Sequence, residues 1–295
     1  MKNILLVVTI LVSSLSLTAQ PVPEKPEILY GPVTRESLIK PPFDKWFVIG
    51  YDTYHPDTET ISAFKKMNTK DISIQVFLGT WCGDSKREVP RFMKVLDELS
   101  FPLQKVQIIT VGGSDSLYKQ SPQHEENGKG IYRVPVFIFY RNGVEINRIN
   151  EYPVMSLEKD MLAILTNKTY APNYKSFATV KNWLADGTLS DKNINARGLA
   201  GQLRSLVASE NELNSLGYLW LKQSDTAQAV KLFQVNAVLY PESANVISSL
   251  GEGYYRTGDT KSAIQTLERA LELNKDPKLV KDILKILYEA KGVKE

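Results

Sequence analysis

The spacing of hydrophobic and polar positions changes once along the chain. Up to about residue 166, short apolar runs alternate with one-sided helical patterns, and from about residue 177 onward every pattern has helical spacing. The run ISIQVFL begins with alternating residues and becomes continuously apolar, which is typical of a buried strand. The first part is predicted to contain strands at 72–78, 106–111, 134–140 and 144–149, and helices at 57–67, 86–99 and 156–165.

This change of pattern predicts an α/β domain followed by an all-α helical domain. The α/β domain is placed at 57–166 and the helical domain at 176–295, with a linker at 167–175 between them. The segment at 20–56 is rich in proline and aromatic residues without a clear period, and it is interpreted as an N-terminal lead-in. A polar stretch at 112–130 separates the second and third predicted strands.

The first 19 residues have the composition of a secretory signal peptide. Lys2 supplies a positive start, an apolar run follows at 4–12, and small residues end at Ala19. The run is too short and too rich in serine for a membrane anchor, which needs ~20 apolar residues. We therefore expect a cleaved signal at 1–19, a mature chain without a membrane span, and a location in the periplasm.

Composition and charge exclude further classes of function. The chain has 295 residues and a net charge of +3 spread along its length, so no nucleic-acid partner is expected. Its single cysteine, Cys82, can form neither an internal disulfide nor a zinc cluster, and we expect no metal and no cofactor. A lone thiol in an exported protein is buried and inert, joined to a partner, or reactive.

The helical part contains an internal repeat. Gly217 and Gly251 lie 34 residues apart, and apolar positions around them recur at the same offset. A 34-residue period of paired helices is the signature of tetratricopeptide repeats. We predict repeats at 210–243 and 244–277, followed by a capping helix.

The first helix of each repeat is expected to line a groove for a protein partner. Asn211, Asn214 and Tyr218 lie on this expected face, and we predict that the packing of the repeats does not require them. Such a groove typically takes an extended or helical segment of another protein. The alternative is that the helices only brace the α/β domain.

The candidate chemistry lies in the segment GTWCGDSK, where a strand is predicted to end and a helix to begin. A cysteine at a helix N-terminus faces unsatisfied N–H groups and the positive end of the dipole, which favour the thiolate. Ser85, one turn on, can donate a hydrogen bond to the sulfur, whereas the charge of Asp84 opposes the effect. Cys82 is therefore a candidate nucleophile, and a buried inert cysteine is the alternative.

This segment resembles the WCxxC active site of thioredoxin-fold proteins, with Ser85 in place of the second cysteine. Pro90 falls where that family kinks its active-site helix, and Val134-Pro135 resembles its cis-proline motif. The longer string GTWCGDSKREVPRF resembles exported bacterial proteins, of the Bacteroidetes type, that join a thioredoxin-like domain to tetratricopeptide repeats. The resemblance implies catalytic roles for Trp81, Cys82, Ser85 and Pro135, and substrate-binding roles for Gly83, Asp84 and Val134.

Departures from the thioredoxin pattern shape the expected mechanism. Val76 stands where that family has a buried acid, and Ser85 cannot attack a mixed disulfide to release the product. The chain is expected to engage client proteins with disulfides or thiols through Cys82 alone, as a protein resembling a thiol–disulfide oxidoreductase or isomerase. The alternative is a redox-silent periplasmic protein-interaction scaffold. His124, in the polar stretch, is a candidate base, with a solvated loop histidine as the alternative.

Overall fold

A computed structural model describes residues 27–113, 117–223 and 226–292. The predicted signal peptide at 1–19 lies outside these residues, as does the beginning of the predicted lead-in. Within the described ranges, no helix combines the length and the apolar character that crossing a membrane requires.

The first part of the chain is built around a mixed five-stranded sheet with the strand order β1-β3-β2-β4-β5. The central strand β2 runs parallel to β3 and antiparallel to β4, and β1 and β5 pair antiparallel at the two edges. The four predicted strands are present. The strands are β1 (Gly31–Val33), β2 (Ile72–Leu78), β3 (Val106–Thr110), β4 (Val136–Arg141) and β5 (Val144–Asn150).

Five α-helices accompany this sheet. The three predicted helices are confirmed, and α4 begins three residues earlier than its apolar spacing indicated. Phe92 of α4 is fully buried against Phe137 of β4, with ring centroids 4.3 Å apart, so α4 is held directly on the sheet. The helices are α1 (Arg35–Leu38), α2 (Asp44–Asp52), α3 (Thr58–Phe64), α4 (Gly83–Glu98) and α5 (Leu157–Leu165).

The predicted lead-in contains regular structure that its sequence pattern did not indicate. It supplies β1, which pairs with β3, and α2, which packs against α4. Phe47 of α2 is 1% exposed, and Gly50 lies so close to Pro90 that an added Cβ would come within 2.6 Å of the ring. These elements depend on tertiary contacts rather than on a local period, and the α/β domain therefore begins before the predicted boundary at residue 57.

The rest of the described chain is helical. Helices α8 and α9 pack as one pair and α10 and α11 as the next, and α12, at the position of the predicted capping helix, packs against α11. An α/β domain is thus followed by a helical region. The helices are α6 (Ser176–Ala185), α7 (Ala196–Leu203), α8 (Glu210–Lys222), α9 (Thr226–Leu239), α10 (Ala244–Arg256), α11 (Thr260–Leu273) and α12 (Pro277–Ala290).

Two glycines allow the two helices of each pair to approach each other closely. A Cβ added at Gly217 would lie 2.4 Å from Phe233 of α9, and one at Gly251 would lie 2.7 Å from Leu267 of α11. Each glycine thus faces a large side chain 16 residues later in the sequence. The 34-residue offset found in the sequence therefore corresponds to equivalent contacts in both pairs.

Two of the three polar residues expected to face a groove, Asn214 and Tyr218, bond to neighbouring helices instead, whereas Asn211 is exposed. Asn214 is 6% exposed, donates to Ser249 Oγ at 3.1 Å and accepts from Asn236 at 2.9 Å. The hydroxyl of Tyr218 donates to the Glu252 carboxylate at 3.0 Å and lies 3.2 Å from Ser249 Oγ. The expectation that packing does not require Asn214 and Tyr218 was wrong, because their hydrogen bonds join α8 to α9 and α10.

The segment predicted as a linker runs along the edge strand β5. Asn147 Nδ2 donates to Tyr170 O at 3.3 Å, and Asn150 Nδ2 donates to Asn173 O at 3.1 Å. Asn173 in turn donates to the carbonyl oxygen of Tyr152 at 2.8 Å. These side-chain bonds cover the edge strand and fix the start of the helical region against the sheet.

We predict that Gly217→Ala destabilises the protein by about 1–3 kcal/mol, because the added methyl group overpacks the contact with Phe233. Gly201→Ala is the matched control, since a Cβ at that exposed position in α7 meets nothing within 4 Å. It should leave the stability unchanged or raise it slightly. The free energy of unfolding in urea measures both, and equal effects would contradict the packing account.

Candidate functional site

Cys82 lies between the end of β2 and the start of α4. Its amide donates to Gly79 O at 2.9 Å, which closes a turn, and its carbonyl oxygen accepts from Lys86 N at 3.0 Å, which begins the helix. The backbone of Cys82 is extended, and the side chain is partly exposed. The thiol therefore stands at the N-terminus of a 16-residue helix, where the predicted site placed it.

A second segment, far away in the sequence, meets the sulfur. The thiol of Cys82 donates to the carbonyl oxygen of Val134, with Sγ and O 3.2 Å apart. The Val134–Pro135 peptide bond is cis, and both residues are buried. The carbonyl oxygen of Pro135 accepts from Glu151 N at 2.7 Å, which ties this segment to the end of β5. The structure thus brings Cys82, Val134 and Pro135 together.

Ser85 has a different contact from the expected one. It is fully buried, and its Oγ accepts a hydrogen bond from Gly79 N at 3.1 Å. Within the described residues it makes no hydrogen bond to the sulfur of Cys82, so the expectation that Ser85 donates to Sγ was wrong. Ser85 instead satisfies the amide of Gly79 at the end of β2, and so holds the turn that carries Trp81 and Cys82.

The other predicted site residues surround Cys82 on the helix side. Trp81 Nε1 donates to Val111 O at 3.0 Å, and its ring covers Gly113, where an added Cβ would come within 2.7 Å. Asp84 pairs with Arg87 at 2.6 Å on the first turn of α4. Gly83 is exposed, and a Cβ added there would meet nothing within 4 Å. The surface next to the sulfur is therefore open over Gly83.

A buried lysine beside this site was missed by the sequence analysis. Lys119 is 5% exposed, its amide donates to Gly112 O at 2.9 Å, and its Nζ lies 4.3 Å from the centroid of the Tyr118 ring. Burial and the charge of Arg133 lower the pKa of Lys119 to about 8, although Glu151 and the Cys82 thiolate act in the opposite direction. Lys119 lies in a polar stretch of the sequence, which gave no indication that its side chain is buried.

Arg133 connects the site to the helical region. Its guanidinium pairs with Glu151 at 3.6 Å, donates to Asn211 O of α8 at 3.1 Å, and lies 5.2 Å from the Tyr174 ring. Burial raises the pKa of Glu151, and Arg133 opposes that shift. The one signal in the sequence was the position of Arg133 directly before Val134.

The candidate base His124 belongs to a different network. Its Nδ1 lies 3.1 Å from Glu126 Oε1, and half of the side chain is exposed. Glu126 is buried and accepts from the amide and the hydroxyl of Ser121. Among the described residues His124 makes no contact with Cys82, so these bonds serve the loop itself.

Comparisons with known proteins add no assignment: no protein-family model, curated protein or solved structure matches this chain. In the ranges that the structure describes, no group of three or more histidine, cysteine, aspartate or glutamate side chains is arranged to hold a metal ion.

We predict that Ser85→Ala destabilises the protein by about 1–3 kcal/mol, because it leaves the buried amide of Gly79 without an acceptor. Ser62→Ala is the control, since that hydroxyl is exposed on α3 and bonds only to Thr58 O of its own helix. Unfolding in urea should show less than ~0.5 kcal/mol for the control. A similar small effect at Ser85 would show that its hydroxyl does not hold the turn.

Proposed function

We propose that this protein is an exported, thioredoxin-like thiol–disulfide exchange protein that acts on client disulfides through one nucleophile, Cys82. The observation that carries the proposal is the position of the sulfur. It is partly exposed at the N-terminus of α4 and lies 3.2 Å from the carbonyl oxygen of Val134. Helix N-termini favour the thiolate, which is the form that attacks disulfides. The predicted signal peptide supports a periplasmic location.

Two further observations support the finer fold assignments. A thioredoxin-like domain is supported by the order of elements, in which β2 leads through Cys82 into α4 and Val134-Pro135 precedes the β4–β5 hairpin. Tetratricopeptide repeats are supported by the equivalent close contacts of Gly217 and Gly251 in successive helix pairs.

The chemistry with one cysteine stops at a mixed disulfide. After Cys82 loses its proton, the hydrogen bond to Val134 is lost, and the N-terminal amides of α4 remain to stabilise the thiolate. The thiolate attacks one sulfur of a client disulfide. The S–S bond breaks, and the second client sulfur leaves with the electron pair and takes a proton from water. Release then requires an external thiol, or the freed client thiol, which gives isomerisation.

We infer that the helical region positions the segment around Val134. Tyr132 is 1% exposed and stacks on Phe177 of α6, with ring centroids 5.1 Å apart, and Arg133 donates to Asn211 O of α8. A groove for a protein partner stays a prediction. Asn214 and Tyr218 do not support it, because their hydrogen bonds join the helices.

We predict that wild-type protein, mixed with an oxidised client protein, forms a covalent complex, and that release of the client in its reduced form requires an added small thiol. Ser85→Cys should release the client without an added thiol, because the new thiol can attack the mixed disulfide at Cys82. Non-reducing electrophoresis and a coupled reduction assay measure the two outcomes.

Cys82→Ser is the control, and it should form no complex. Efficient multi-turnover reduction by the wild type without an added thiol would contradict the single-cysteine mechanism. If folded wild-type protein forms no complex with any oxidised client, the redox-silent scaffold is favoured instead.

A further inference from the structure

A groove lies between the edge strand β5 and helix α6. Its volume is about 590 Å³, which is within the range of small-molecule sites. One wall is the stretch 145–148 of β5, and the other is formed by the segment before α6 and by the first turns of that helix. Most of the side chains that line it are apolar or aromatic, among them Ile146, Tyr170, Pro172, Tyr174, Phe177 and Leu206.

The side chain of Asn147 satisfies backbone groups of both walls. Its Oδ1 accepts from Arg148 N at 2.9 Å, and its Nδ2 donates to Tyr170 O at 3.3 Å. These two backbone groups are therefore not available for strand pairing with a bound peptide. An occupant of the groove would be held by apolar contact and by charge instead.

The charged side chains that line the groove carry a surplus of positive charge. Glu145 is the one acidic residue among them in the described part of the chain, and its two oxygens accept from the buried Arg148 at 2.7 and 2.8 Å. Lys181 lies 3.9 Å from the same carboxylate. The side chain of Lys175 forms no ion pair and no hydrogen bond with any described residue. Three cations and one carboxylate leave the lining with a net charge of +2.

The unpaired ammonium group belongs to one end of the groove. Lys175 is the N-cap residue of α6, and no side chain caps that terminus. The positive end of the helix dipole therefore reinforces the charge of Lys175. Lys181, further along α6, is already balanced by Glu145. An anionic group of an occupant is therefore expected beside Lys175.

The length of the two walls limits the size of the occupant. From Lys175 to Lys181 helix α6 advances about 9 Å, and the stretch 145–148 of β5 spans about 10 Å. An extended hydrocarbon chain with C–C bonds of ~1.5 Å advances about 1.3 Å per carbon. Roughly eight carbons therefore match the length of the groove.

We propose that this groove binds a monocarboxylate with a medium-length acyl chain, such as octanoate. The chain lies against the rings of Tyr174 and Phe177, and the carboxylate lies beside Lys175. The rings supply the apolar surface that a short acyl chain requires, and the ammonium group supplies the opposite charge. The proposal is independent of the exchange chemistry, because Cys82 does not line the groove.

The first test is isothermal titration calorimetry of the wild type with octanoate, 1-octanol and butyrate. We expect one saturable site for octanoate. Octanol should bind about three- to fivefold more weakly, because it lacks the charge that Lys175 pairs with at a partly exposed position. Butyrate should bind at least about tenfold more weakly, because it loses four methylene groups from the apolar contact.

Two variants with matched controls locate the ligand. Lys175→Gln should weaken octanoate about three- to fivefold and leave octanol unchanged, whereas Lys192→Gln, at an exposed lysine that does not line the groove, should change neither. Ala178→Trp should fill the groove and weaken both ligands at least about tenfold. Ala185→Trp, at an exposed position of the same helix outside the groove, should not.

Each contrary result overturns a stated part of the proposal. Folded wild type without saturable octanoate binding overturns the site, and equal affinities for octanoate and octanol overturn the recognition of a carboxylate. Octanoate binding that Ala178→Trp leaves unchanged places the ligand elsewhere. The wild-type series alone decides if a variant fails to fold.

Two other occupants have their own readouts. A wild-type dimer in sedimentation equilibrium that Ala178→Trp dissociates would assign the groove to a second copy of the chain. Tighter binding of the peptide acetyl-Leu-Leu-Glu than of octanoate would assign it to a polypeptide. Either result would overturn the proposal, and neither would change the proposed exchange function of Cys82.

Discussion

The burial of Tyr132 is the constraint on which the geometry at the sulfur depends. The ring is 1% exposed, stacks on Phe177 and meets the edge of Tyr174, with ring centroids 5.1 and 5.9 Å apart. Gly130 permits this packing, because a Cβ there would lie 2.5 Å from the Phe177 ring. Burying an aromatic ring contributes about 1.5–3 kcal/mol, enough to fix a segment that has no regular structure of its own. The carbonyl oxygen that accepts from Cys82 belongs to Val134, two residues further along, so its position follows from this packing.

The helical region is therefore a structural part of the site rather than a separate attachment. Arg133 donates to the backbone of α8 and pairs with Glu151, the residue that bonds to Pro135 O. Glu212 of α8, itself fully buried, accepts from Ser176 at the start of α6 and from Ala208 N. Separating the helices from the α/β domain would expose the rings of Tyr132 and Phe177 and remove the acceptor that Asn211 O offers to Arg133.

Sequence patterns predicted the elements whose stability is local or strongly apolar. The strand at 72–78 and the glycine contacts at the 34-residue offset are examples, because continuous apolar runs and fixed offsets are visible in one dimension. The sequence did not indicate β1, which exists through its pairing with β3. It also gave no sign that Lys119 is buried, since a lysine in a polar stretch is normally solvated. Asn214 was assigned to a groove because a polar residue on a helix can serve a partner or a neighbouring helix, and spacing alone cannot distinguish the two.

The residues at positions 82 and 85 have different roles: Cys82 carries the candidate chemistry, and Ser85 holds the turn before it. Ser85 stands where the thioredoxin pattern has a second cysteine, yet it is fully buried and its oxygen is used by the amide of Gly79. A thiol at that position is a weaker hydrogen-bond acceptor than a hydroxyl, so the turn before Cys82 is better satisfied by serine. Gly83 is exposed whereas Ser85 is fully buried, so a partner of Cys82 would meet an open surface at Gly83 and a closed one at Ser85.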